Sequence, residues 1–237
     1  MKVNKLQELR TSLHNQASKA DANVLQRFFK TGPGNYAEGD IFIGVRVPII
    51  RRIAKEYKTL TLRDTATLLK SKIHEERMLA LVILMQQYKK GTPEQQSKIY
   101  DLYMANTAHI NNWDLIDVTA PHIVGAYLLN KPRVPLYTFA RSQSLWEKRI
   151  AIISTLHFIK HNDYTDTLAI AEILLHDTHD LIHKAVGWML REVGNRNLQA
   201  EEAFLKKHYR TMPRTMLRYA IEKFPAPKRQ RYLKGTI

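Results

Sequence analysis

The sequence predicts an all-α fold in which antiparallel helix pairs stack and share one core. Three observations carry this. Apolar residues recur at helical spacing through most of the 237 residues. Strongly apolar helices start near residues 74, 112, 145, 180 and 213, and helix pairs at such a period are the mark of a stacked repeat. The Thr, Ile and Val clusters are short and already sit inside helical spacing. The similarity between units lies in pattern and spacing, not in residue identity, so a compact helical bundle stays open as the alternative. The whole chain, 1–237, is read as one helical-repeat domain.

Leu6, Leu9 and Leu13 mark a first helix, and Val24, Leu25, Phe28 and Phe29 a second. Thr31-Gly32-Pro33-Gly34-Asn35 then breaks the pattern, and Tyr36 to Val47 is the longest irregular stretch. Phe42, Gly44 and Val45 predict that it packs down on the helices. Pro48 reads as the first residue of the next helix, where its missing N–H costs nothing, and Ile49, Ile50, Ile53 and Ala54 give that helix a core face. The apolar helices that follow are centred on Met78 to Leu84, Trp113 to Leu129, Ile150 to Ile159, Leu181 to Val193 and Met216 to Phe224. Between them, Thr92-Pro93-Glu94-Gln95 offers a cap followed by proline, and Asp163, Asn197 and Thr211-Met212-Pro213 mark further starts. Neighbours in such a stack bury each other's apolar faces, and its curvature creates a concave surface lined by corresponding helices.

Lys and Arg number 37 against 22 Asp and Glu, a formal charge of +15. Such an excess favours a polyanionic partner, because each neutralised phosphate releases counterions; a solvated, soluble surface is the other reading. There are no cysteines, which excludes disulfides, cysteine-ligated metals and a thiol nucleophile. No apolar run approaches the length of a membrane span. The opening run Met1-Lys2-Val3-Asn4-Lys5-Leu6 turns amphipathic at once, without a signal-peptide core. A cytoplasmic protein with no membrane partner is expected.

The chemistry-bearing residues cluster on the apolar helices. Trp113 and Asp117, in Asn111-Asn112-Trp113-Asp114-Leu115-Ile116-Asp117, are four apart and share a helix face. Arg149 lies in Trp146-Glu147-Lys148-Arg149, and Trp188 in Gly187-Trp188-Met189-Leu190-Arg191. A carboxylate beside Ile116 and Val118 is costly to bury unpaired. Pro121 removes a backbone hydrogen bond and predicts a kink beside it. Arg149 is suited to hold a carboxylate ionised, although a surface arginine fits the same spacing. Read alone, Trp113 and Trp188 also fit ordinary core positions, and Asp117 fits a structural ion pair. Trp188, however, lies between Lys184 and Arg191 on one stripe, a pattern natural for a face that meets a charged backbone. Trp146 is read as structural. Aromatic faces attract cations by about 0.5–2 kcal/mol, and a carboxylate adds electrostatic stabilisation. Together they suit a sugar that develops positive charge as an N-glycosidic bond breaks. Ordinary glycosidases need a second carboxylate as acid. A base alkylated on a ring nitrogen already carries positive charge and leaves without one.

At these residues the chain resembles the AlkD-like family of DNA alkylation-repair glycosylases, built from HEAT-like helical repeats. The resemblance rests on Phe28 to Tyr36, Gly44-Val45-Arg46-Val47-Pro48, Trp113 to Asp117, Trp146 to Arg149 and Gly187 to Arg191, and spans roughly residues 25–225. It implies a right-handed superhelical solenoid of HEAT-like antiparallel pairs with a concave basic groove. It also implies a monofunctional glycosylase that removes cationic N-alkylated purines, such as 7-methylguanine and 3-methyladenine, from double-stranded DNA in base excision repair. Carried over by position, Asp117 is the catalytic carboxylate, and Trp113 and Trp188 contact the deoxyribose. Arg149 supports the acid and the backbone, and Arg191 and Arg51 bind phosphates, with Lys184 on the same stripe as Arg191. Glycosylases generally flip their target base; this family is understood to leave it stacked. Asn112 departs from the pattern, since some relatives carry an aromatic residue there. Relatives that have lost the acid or the arginine only bind DNA; both positions are intact here.

No metal or organic cofactor is expected, and the protein is read as a monomer. His157 and His161 stand one turn apart without a third ligand, and His176, His179 and His183 form a geometric cluster beside Asp177 and Asp180. Two readings compete with the glycosylase: a non-catalytic DNA-binding repeat protein recognising damaged or branched DNA, and a protein-binding scaffold.

Overall fold

The computed structural model describes residues 4–237. Met1-Lys2-Val3, the start of the run read above as lacking a signal-peptide core, lie outside the described residues. Among the described residues the chain is all helical apart from one isolated parallel bridge between Ile41 and Ile73. No helix among them is long and apolar enough to cross a membrane. The chain divides into two compact units, residues 1–119 and 120–237.

The first unit contains α1 (Lys5–His14), α2 (Lys19–Phe28), α3 (Val47–Glu56), α4 (Leu62–Leu69), α5 (His74–Lys90), α6 (Pro93–Met104) and α7 (Trp113–Ala120). Short polar caps set these boundaries: the Asn4, Ser18 and Thr61 side chains each accept from a backbone N–H of the first turn. Thr92 and Gln95 close a reciprocal capping box at α6. Helix α3 begins at Val47, one residue before Pro48, which occupies the first turn. The four apolar positions that mark α2 divide between inside and outside: Phe29 is buried, whereas Val24 and Phe28 are exposed. Helix α5 is buried all round from His74 to Leu84 and packs against α3, α4 and α6, the pattern of a core helix rather than a surface one.

The second unit opens on a π turn, Pro121–Gly125, followed by α8 (Ala126–Leu128), α9 (Val134–Ala140), α10 (Leu145–Ser154), α11 (Leu156–Lys160), α12 (Thr165–Ile173), α13 (Asp180–Gly194), α14 (Leu198–His208), α15 (Arg214–Ala220) and α16 (Ala226–Lys234). Pro121 brings no N–H to the helix, and the wider turn accommodates the missing bond where the sequence predicts a kink. The single helix expected over Ile150 to Ile159 is broken at Thr155. The Ser154 hydroxyl bonds back to the Ile150 carbonyl and the Thr155 hydroxyl to that of Ile152, and such back-bonds compete with the helical ladder. Helices α10, α13 and α15 pack in series, with α9, α12 and α14 against them. Their starts, at 145, 180 and 214, fall within a residue of those predicted. Gly187 permits the α13–α15 contact, because a side chain there would collide with the Met216 carbonyl and the Tyr219 side chain.

Candidate nucleic-acid interface

The residues singled out in the sequence fall on three helices. Trp113 and Asp117 lie on α7 in the first unit; Arg149 on α10, and Lys184, Trp188 and Arg191 on α13, belong to the second. Arg51 is exposed on α3.

Trp113 and Asp117 are both half-buried, one turn apart, with Leu115 and Ile116 fully buried behind them. Trp113 is fixed from several sides. Its indole N–H donates to the Tyr36 hydroxyl at 3.3 Å. Its ring stacks on Phe29 at 5.2 Å and 22°, and the stack continues through Phe42 at 4.8 Å to the His74 imidazole at 4.3 Å. Phe28, 61% exposed, stands edge-on to the indole at 6.0 Å. An aromatic surface therefore faces solvent beside the acid's helix.

Below it lies a buried polar network. His74 bonds Asp40 through Nδ1 and Asp114 through Nε2, each at 2.9 Å. Burial disfavours the imidazolium, but the charges and hydrogen bonds of Asp114 and Asp40 outweigh it and push His74 up to about 9. Arg77 adds a 2.8 Å bond to Asp40. Burial works against the Asp40 carboxylate, yet His74 and Arg77 hold it below its ordinary value. Asn112 is fully buried; its amide donates to Asp40 at 3.3 Å and its carbonyl accepts from the Trp113 N–H at 2.8 Å. The departure noted at Asn112 thus positions the start of α7 from inside. Behind the same helix, burial raises the Tyr103 phenol far above its ordinary value; the Thr119 hydroxyl opposes this and the Asp117 charge adds to it.

The neighbouring Glu75 organises the irregular segment. Its carboxylate accepts from the backbone N–H groups of Ile43, Gly44 and Val45 at 2.8–3.2 Å. Gly44 has a φ of +83°, and a side chain there would collide with the Ser18 carbonyl and the Ala22 amide, so only glycine closes this cradle.

In the second unit Arg149 is 4% exposed, which removes the surface-arginine reading. Its Nη1 donates to the Leu181 carbonyl at 2.6 Å, and the adjacent Lys148 pairs with Asp177 at 2.5 Å. Consecutive basic residues of α10 therefore clamp the start of α13. His179 caps α13 by accepting from the Leu181 N–H through Nδ1, and His183 bonds the Asp177 carbonyl. Two of the three clustered histidines serve this turn. Trp188 is half-buried, and its indole donates to Glu192 at 3.1 Å. The basic residues of its stripe have partners: Lys184 pairs with Asp180 at 2.7 Å and Arg191 with Glu222. Trp146 is half-buried on α10.

A family model described as DNA alkylation repair enzyme matches residues 9–224. The chain belongs to that family. Membership places it in DNA alkylation repair, among enzymes that act on DNA. A solved structure described as a predicted DNA alkylation repair enzyme from Enterococcus faecalis is similar at a TM-score of 0.70 and 16% identity, over 89% of this chain and 98% of that one. That likeness supports the all-α fold of the DNA alkylation repair family. Among curated proteins, none matches this chain.

Sequence reasoning missed the His74-Glu75-Glu76-Arg77 turn and the exposed Phe28. The first carried a readable signal, four charged residues leading directly into the apolar run Met78 to Leu84. The second did too, since adjacent Phe28 and Phe29 point to different sides of a helix.

Proposed function

We propose that this DNA alkylation repair protein is a monofunctional glycosylase that hydrolyses the N-glycosidic bond of cationic N-alkylated purines in double-stranded DNA. The observation that carries it is the pairing of Asp117 with a rigidly held Trp113 on one turn of α7, beside an open aromatic surface. As the C1′–N bond breaks, its electron pair goes to the base and neutralises the positive charge there, so no acid is needed. Positive charge grows on the sugar, where the Trp113 ring face and the Asp117 carboxylate stabilise it. Water then bonds to C1′, and its proton goes to the carboxylate or to solvent. We assign Trp188 to the sugar, Arg149 to support of the acid and the backbone, and Arg191, Lys184 and Arg51 to phosphates. The Lys184–Asp180 pair is exposed on both sides; such pairs contribute about 0–1 kcal/mol, so a phosphate displaces the carboxylate at little cost.

The test is release of free base from a duplex holding one 7-methylguanine. Release by the wild type, and its loss by at least about a hundredfold in Asp117→Asn with DNA binding kept, supports the reading; one electrostatic group of this kind contributes about 10²–10³ in rate. Tight binding without release by either protein would make the chain a non-catalytic DNA binder.

A further inference from the structure

A cleft of about 810 Å³ opens in the first unit, away from α7 in sequence, between the ends of α3 and α5 and the starts of α4 and α6. Lys55, Lys58, Lys89 and Lys90 line it, together with Leu60 and Ile99. All four lysines are exposed. The lining holds no carboxylate, and among the described residues none of the four lysines pairs with one. That sets them apart from Lys98, Lys148, Lys184, Lys207 and Lys228, each of which is held by an acid. A lysine in the last turn of a helix is favoured by the helix dipole. The dipole accounts for a basic residue at each helix end, not for the convergence of two ends on one unneutralised concavity.

The cleft continues a stripe. Arg51 and Lys55 are one turn apart on α3, both exposed, and Lys58 follows in the turn that leaves the helix. We propose that this stripe and cleft form a second DNA contact that carries the phosphodiester backbone flanking the lesion. The ammonium groups would meet successive phosphates, and the lysine stems would meet the deoxyribose faces between them. Charge complementarity and continuity with Arg51 select a DNA strand as the occupant. The proposal rests on the DNA-binding reading of the chain and assigns to it a footprint longer than the lesion site.

The experiment measures binding of lesion-free duplexes of increasing length, each titrated with salt. Each phosphate contact contributes about 0.9 to the slope of log K against log[salt]. The full-length variant Lys55→Ala/Lys58→Ala/Lys89→Ala/Lys90→Ala is expected to lower the slope by about 3 to 4 on long duplexes, with a deficit that shrinks as the duplex shortens. The matching Lys→Arg variant, which keeps the charges, should restore the slope. A wild type that binds long duplexes with the same slope as the alanine variant overturns the cleft contact and leaves the glycosylase reading intact. A deficit equal at every length overturns it too, by showing a general loss of charge. A wild type without salt-dependent duplex binding overturns both readings.

Discussion

In the first unit the opening turn of α5 buries four charged side chains in a row, His74, Glu75, Glu76 and Arg77, each less than 5% exposed. In the second, α10 buries Arg149 alone among its charged residues, and α13 buries none; the core there is Ile150, Ile152, Ile153, Ile182, Val186 and Leu190. The charged turn reaches four places: His74 to Asp40 and Asp114, Glu75 to the amides of 43–45, Glu76 to Arg10 and His14, and Arg77 to Asp40 and the Ser71 carbonyl. Such a network specifies one geometry, because any partner removed leaves a buried charge exposed to no solvent. Aliphatic contacts between successive helices specify less and tolerate more. In the first unit the network holds an irregular loop and the Trp113 ring in place; in the second, Trp188 and Arg149 are carried on helices packed by aliphatic contacts.

The largest effect that would break this contrast is at Glu75. Glu75→Ala leaves the amides of Ile43, Gly44 and Val45 without their acceptor, and is expected to destabilise the protein by about 4 kcal/mol in urea unfolding. A loss below about 1 kcal/mol would show that water replaces the carboxylate and that the cradle is not what orders the loop.

The next effect is at His74. Its folded-state value is raised from 6.5 to about 9, so the folded protein binds the proton more tightly than the unfolded chain. Its contribution is therefore complete below pH 6.5 and is lost as pH rises through about 9. The size is on the order of 3 kcal/mol. Thermal midpoints measured across that interval should fall less steeply in His74→Gln than in the wild type. An unchanged fall in the variant would assign the pH dependence elsewhere.

The smallest effect lies in the second unit and has the opposite sign. Glu201, 1% exposed, has one carboxylate oxygen without a partner. Burial pushes it from 4.5 up to about 8, against the pull of Lys228 and Arg191. The folded state again binds the proton more tightly, so the contribution of Glu201 declines as pH rises from 4.5 to about 8 and then levels. Glu201→Gln removes the buried charge and is expected to stabilise the protein above that interval by about 2 kcal/mol, with little effect below it. A destabilised variant at high pH would show that the carboxylate is held by contacts beyond its geometry.

Much of the second unit was legible in the sequence because its helices are marked by apolar spacing and by start signals next to them in the chain. Apolar spacing near 145, Asn197 and Pro213 mark starts that the structure reproduces at α10, α14 and α15. The first unit was less legible. The contacts of His74 and Glu76 cross 34 to 62 residues of chain, and no periodicity announces which distant amide or acid a charged side chain will meet. For the candidate site, spacing placed Trp113 and Asp117 on one turn, but not the stack of Phe29, Phe42 and His74 that steadies the indole. Nor did it reveal that Arg149 spends one donor on the Leu181 carbonyl.

The three-amide cradle also bears on assembly. Bringing Glu75 to residues 43–45 closes a loop of about 30 residues, and joining Asn112 to Asp40 closes one of 72. Loop closure costs entropy before any contact repays it. In the second unit α10 waits for α13 and α13 for α15, closures such as the 32 residues from Arg149 to Leu181, well short of the 72 from Asp40 to Asn112. Emerging from a ribosome, the amino-terminal half must wait for α7 before its interior is complete, although it is synthesised first.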